Sequence, residues 1–102
     1  MSLTKKYLKN RPQCKVKFFL EKEQAGEAQQ VFLVGEFNEW NASGHPMKKA
    51  KDGSFSLEME LPVGQDFRFR YLLDSGEWEN DLQADAYAPC PFAGVENSVV
   101  KV

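Results

Sequence analysis

From Cys14 to Leu20 the chain alternates. Cys14, Val16, Phe18 and Leu20 fall on one side, Lys15 and Lys17 fall on the other, and Phe19 interrupts the pattern. A period of two is that of a strand with one buried face. The same period returns twice. Phe55, Leu57, Met59 and Leu61 alternate with Ser56, Glu58 and Glu60, and Phe67, Phe69, Tyr71 and Leu73 alternate with Arg68, Arg70 and Leu72. Between the first two strands, Val31-Phe32-Leu33-Val34 is apolar without alternation, as befits a central strand covered on both faces. Residues 30–37 are therefore expected to be a strand, Met47–Ala50 a short one, and Ser98–Val102 the last.

Turn residues separate these runs. Asp52-Gly53 is a hairpin signal, and so is Asp74-Ser75-Gly76. Pro62-Val63-Gly64 reverses the chain before Phe67. Three stretches lack strand periodicity. Residues 21–29 are polar and contain Gly26, so they read as a loop. Residues 38–53 are rich in turn formers, and residues 81–96 carry Pro89 and Pro91 and read as irregular. Residues 1–13 read as an extension. Its Leu3, Tyr7 and Leu8 would share one face of a short helix ended by Arg11-Pro12. Several short strands spaced by turns, with no internal repeat, predict an all-β, immunoglobulin-like sandwich over 14–102.

Two tryptophans fall outside the strand interiors. Trp40 stands in Gly35-Glu36-Phe37-Asn38-Glu39-Trp40-Asn41, where the chain leaves the core. Such a ring either plugs the end of the sandwich or meets a ligand. The direction of Trp78 depends on its hairpin. A two-residue loop at Ser75-Gly76 would pair Leu73 with Trp78 and turn the indole into the core. A three-residue loop at Asp74-Ser75-Gly76 would pair Leu72 with Trp78 and set the indole beside Arg70. Glycine in the last, left-handed position favours the three-residue loop. The expected surface then holds Trp78, Arg70 and, at a distance the pattern leaves open, Trp40. Asn97, at the start of the last strand, adds an amide. Indole faces match the C–H faces of sugars, and Arg and Asn match their hydroxyl edges.

Bulk properties narrow the alternatives. The chain has 102 residues, room for one domain. Its net charge is −2, which offers no basic surface for nucleic acid or an anionic membrane. No apolar run reaches the length of a membrane span, and no signal sequence follows the first residues, so a cytoplasmic protein is expected. Cys14, Cys90 and the lone His45 do not make a zinc site, and two free thiols are expected. His45, between Gly44 and Pro46, reads as a surface residue. The 15 acidic residues form no recognisable acid/base constellation, and there is no nucleophile elbow or phosphate loop. Neither catalysis nor a cofactor is expected.

Three segments in order carry a resemblance: Phe37-Asn38-Glu39-Trp40, then Phe69-Arg70-Tyr71-Leu72-Leu73-Asp74-Ser75-Gly76-Glu77-Trp78, then Glu96-Asn97-Ser98-Val99-Val100-Lys101-Val102. Together they resemble carbohydrate-binding module family 48, the isoamylase N-terminal or early-set domain. A related module lies on the beta subunit of AMP-activated protein kinase. The resemblance implies an immunoglobulin-like sandwich. It implies that Trp40 and Trp78 stack on glucose, the latter with one extra residue in its turn. Arg70 would contact hydroxyls where relatives often have lysine, and Asn97 would hydrogen-bond the sugar. Phe92 is the nearest match to an apolar residue that protrudes before that asparagine. The function implied is non-catalytic binding of an α-glucan such as glycogen or starch. A glycoside hydrolase or glucan-modifying enzyme would be the protein partner. The alternative implied is a module that docks on such an enzyme without binding sugar.

Overall fold

Two antiparallel sheets face each other across an apolar core. The computed structural model describes residues 3–42, 44–89 and 96–102. The first sheet, sheet A, is built on β2 (Gln13–Leu20) and β5 (Phe55–Pro62), paired along their full length with Cys14 opposite Leu61 and Phe18 opposite Leu57. β1 (Leu3–Tyr7) flanks β2, and β4 (Lys48–Lys49) flanks β5, giving the order β1-β2-β5-β4. Sheet B has β6 (Asp66–Leu73) at its centre, with β3 (Val31–Gly35) on one side. On the other side lie β9 (Glu96–Lys101) and, continuing past its start, β7 (Trp78–Glu79). β8 (Ala86–Pro89) pairs with the outer side of β9. The expected all-β sandwich is the observed fold.

The alternation fixes which side chains meet in the middle. Cys14, Val16, Phe18 and Leu20 from sheet A are buried, as are Leu33, Phe69 and Tyr71 from sheet B. Phe18 packs edge-on against Phe69 at 5.0 Å, and Phe69 against Tyr71 at 5.7 Å. Cys14 is a buried free thiol, and Cys90 lies outside the described residues.

Four local expectations need correction. Val31–Val34, read as a central strand, is β3 at the edge of sheet B, in the order β3-β6-β9-β8. Its outer edge is met by the loop at 45–47, through the Leu33 N–H to the His45 carbonyl and the Met47 N–H to the Val31 carbonyl. The N-terminal segment is a strand, not a helix: Leu3 lies opposite Phe18 and Tyr7 opposite Cys14. The helical face would have needed cover for Tyr7, which is 57% exposed. The strand instead satisfies the open edge of β2, buries Leu3 and sets Lys5 against Asp85 at 2.6 Å. Residues 21–29 contain one helical turn, α1 (Lys22–Ala25), which buries Ala25 and stops at Gly26 with φ 59. Part of the stretch read as irregular, 86–89, is strand β8. Its Pro89 is tolerated because an edge strand has a side on which no N–H is required.

Below sheet B's surface a buried carboxylate knits three segments. Asp81 is inaccessible to solvent. One carboxylate oxygen accepts the Tyr71 hydroxyl at 2.8 Å, and the other accepts the Gln83 N–H at 2.8 Å. The Asp81 N–H donates to Ser98 Oγ, which donates to Asn80 Oδ1, and the Asn80 amide donates to the Glu96 carbonyl. The chain just after Trp78 is thus tied to the strand that carries Asn97. Burial, reinforced by the neighbouring Asp81 carboxylate, raises the Tyr71 hydroxyl well above its ordinary 10.0.

Two outcomes follow. A Cβ on Gly35 would sit 2.5 Å from the Arg68 carbonyl oxygen and 2.8 Å from Phe69 Cβ. Gly35→Ala should therefore cost about 1–3 kcal/mol in denaturant melts, through forced separation of β3 and β6. For Tyr71, the folded hydroxyl keeps its proton above the value at which the unfolded one loses it. Its contribution is complete below about pH 10 and is lost as pH rises through the higher folded value. Thermal melts between about pH 9 and 11 should show a steeper alkaline loss for the wild type than for Tyr71→Phe; parallel slopes would contradict this.

Candidate functional site

The turn after β6 has three residues. The Leu73 N–H donates to the Glu77 carbonyl at 2.9 Å, the Gly76 N–H to the Leu73 carbonyl at 2.9 Å, and Gly76 has φ 92. Leu72 therefore stands opposite Trp78. Cross-strand partners share a face, so Trp78, Leu72 and Arg70 all lie on the outer side of sheet B. The Arg70 guanidinium carbon sits 4.9 Å from the centre of the Trp78 ring, a cation–π arrangement that holds both groups in place. Trp78 remains 42% exposed.

Asn97 comes from the neighbouring strand. Phe69 faces Ser98 across β6 and β9, so Asn97 stands beside Arg70. It is buried, more so than a simple strand-starting residue requires. Arg70 Nε and Asn97 Oδ1, a donor and an acceptor, are both shut off from solvent without a hydrogen-bond partner. Unsatisfied buried groups each cost about 1–3 kcal/mol; both atoms lie beneath the surface, under the exposed Trp78 ring and the outer part of the Arg70 side chain.

Trp40 is held differently. After β3 a 3-10 turn, Glu36–Asn38, turns the chain outward. Phe37 folds back into the open end of the core, 5.7 Å from Phe18 and 6.1 Å from Phe67. Phe37, rather than Trp40, plugs the end of the sandwich. Asn38 is the clamp. Its Oδ1 accepts the Gly35 N–H at 3.1 Å, which orients the amide so that Nδ2 donates to the Leu33 carbonyl at 2.9 Å and to His45 Nδ1 at 2.8 Å. The Trp40 N–H closes the loop onto the Gly35 carbonyl at 2.8 Å. Glu39 and Trp40 both take left-handed conformations, φ 57 and 59. That costs about 1–2 kcal/mol for each residue with a side chain. The indole is left 38% exposed.

Sequence reasoning placed Trp78, Arg70 and Asn97 on one face, and the structure brings these three together. Trp40 is tied at the other end of the row: its backbone is bonded to Gly35, opposite Phe69, whereas Trp78 is opposite Leu72. Phe92 lies outside the described residues. His45, expected at the surface, is half-buried. It is engaged by Asn38 and stacks edge-on against Phe37 at 6.2 Å. Its role and the Asn38 clamp were missed because only the folded loop brings 38 and 45 together. Among the described residues no group of three or more His, Cys, Asp or Glu could hold a metal ion.

The family model for carbohydrate-binding module 48, the isoamylase N-terminal domain, matches residues 12–88. The chain is 33% identical over 70 residues to the chloroplastic/amyloplastic 1,4-α-glucan-branching enzyme of Oryza sativa subsp. japonica, which covers 62% of this chain and 8% of that enzyme. It is 38% identical over 66 residues to a 1,4-α-glucan branching enzyme of Desulfitobacterium hafniense, 63% of this chain and 10% of that enzyme. Over 47 residues it is 47% identical to the branching enzyme of Candida glabrata, 45% of this chain and 7% of that enzyme. The chain thus spans a tenth or less of these relatives, and what matches is the carbohydrate-binding module. With most of its length matched and its two sheets as described, the chain belongs to carbohydrate-binding module family 48.

Proposed function

We propose that this module binds α-glucan without catalysing its breakdown, and that glucose units stack on Trp78 and Trp40. The observation that carries the reading is the pairing of an exposed indole with a guanidinium 4.9 Å from its ring centre, on the face that also holds Asn97. The indole offers a flat apolar platform to the C–H face of a glucose ring. Arg70 and Asn97 lie where hydroxyls on the ring edge would need donors and acceptors. The left-handed backbone at Trp40 supports the same reading, since strain of this kind persists where a side chain must be held in a set position.

Affinity would rest on a few stacked rings over an open surface, which corresponds to about micromolar to millimolar dissociation constants. A glucan-modifying enzyme is the protein partner we propose, since the relatives named above are branching enzymes that extend far beyond the matched module. The same exposed rings could dock on such an enzyme. Soluble glucan would then compete with the enzyme for the face.

Titration with maltoheptaose, followed by tryptophan fluorescence, tests the sugar reading. Trp78→Ala and Trp40→Ala should each weaken binding by about tenfold or more, the loss expected for one buried aromatic face. Undiminished binding in both variants would contradict it. Asn38→Ala should leave the sheets intact yet shift and broaden the Trp40 indole resonance, and should weaken maltoheptaose without touching Trp78. An unchanged Trp40 resonance would show that Asn38 does not position the ring.

A further inference from the structure

The outer face of sheet B does not end at Arg70. Further along β6, Arg68 and Asp66 share its side. The register sets Val99 beside Arg68 and Lys101 beside Asp66. On the edge strand β8, Ala88 and Ala86 stand opposite Asn97 and Val99. Two alanines and a buried valine leave an open groove of about 470 Å³ above β9. Glu36 closes its near end, with a carboxylate oxygen 2.7 Å from the Arg68 N–H that it accepts.

The groove is continuous with the candidate site at three places. It shares β6 with Arg70 and β9 with Asn97. Glu36 is also the first residue of the turn that leads to Trp40. Its chemistry suits a neutral polyol. The floor is apolar, for sugar C–H faces. The rim carries two cations, Arg68 and Lys101, against two anions, Asp66 and Glu36, so a ligand of one strong charge gains nothing. Arg68 is exposed, and among the described residues its guanidinium has neither an ion pair nor a hydrogen bond. A guanidinium offers five donors in a rigid fork, enough to span two neighbouring hydroxyls.

We infer that this groove is a second subsite for the same α-glucan chain, receiving the glucose units that run on past Arg70 and Asn97, with Arg68 as the residue that reads their hydroxyls. The inference rests on the sugar-binding reading above. Chain length separates the two. Wild type, Arg68→Ala and Ala86→Leu, which fills the groove, would be titrated with maltotriose and maltoheptaose by amide-detected NMR. The wild type should bind the longer sugar more tightly. Both variants should lose that gain, weakening maltoheptaose about threefold to tenfold, the worth of one or two hydrogen bonds, with maltotriose unchanged. If both variants bind maltoheptaose as the wild type does while Trp78→Ala does not, the subsite fails and the primary reading stands. If both sugars weaken equally, Arg68 acts only through the first site and the second subsite is refuted. If the wild type binds neither sugar, both readings fall.

Discussion

The turn between β6 and β7 holds three residues, and the parity of that number decides which side of the sheet Trp78 takes. Side chains alternate with a period of two, so dropping one residue from the turn would shift the pairing and carry the indole through the sheet into the core. With three, Leu72 meets Trp78, and Arg70 can lie against its ring. Gly76 makes that turn possible, because its φ of 92 is open to glycine and costly to other residues. The place of the indole on the outer face of sheet B, against the Arg70 guanidinium, depends on this one register.

The core and the surface are built from the same strands, and this explains how the patch is kept rigid. Tyr71, next to Arg70 in sequence, points inward and donates a hydrogen bond to buried Asp81. Ser98, next to Asn97, receives the Asp81 N–H. Arg70 and Asn97 therefore each have an immediate neighbour anchored in one buried network. Satisfied polar networks of this kind fix a single arrangement at the expense of tolerance to change. The exposed Trp78 ring and the guanidinium against it are held over that rigid base.

Much of this was legible in the sequence. The strands of period two, β2, β5 and β6, could be read directly, because burial on one face imposes alternation. The direction of Trp78 was readable from Asp74-Ser75-Gly76, because turn length and glycine position are local. What could not be read was set by distant partners. β1 is a strand because β2 has an edge to fill, whereas its own spacing of Leu3, Tyr7 and Leu8 suits a helix. β8 accepts Pro89 because it is an edge. The Asn38 clamp needs His45, and the left-handed backbone at Glu39 and Trp40 has no residue type to announce it. The replacement of Trp40 by Phe37 as the plug follows from Gly35, whose missing side chain leaves the Phe37 ring room to fold back, 3.0 Å from where a Cβ would stand.

The central claim is that the outer face of sheet B, and no other surface, meets the sugar. The most direct measurement is a set of intermolecular nuclear Overhauser contacts between the protein and saturating maltoheptaose. The account predicts contacts from glucose C–H protons to the indole protons of Trp78 and Trp40, with none to the exposed side chains of sheet A. Contacts confined to sheet A, or absent from both indoles in a complex that forms, would contradict it.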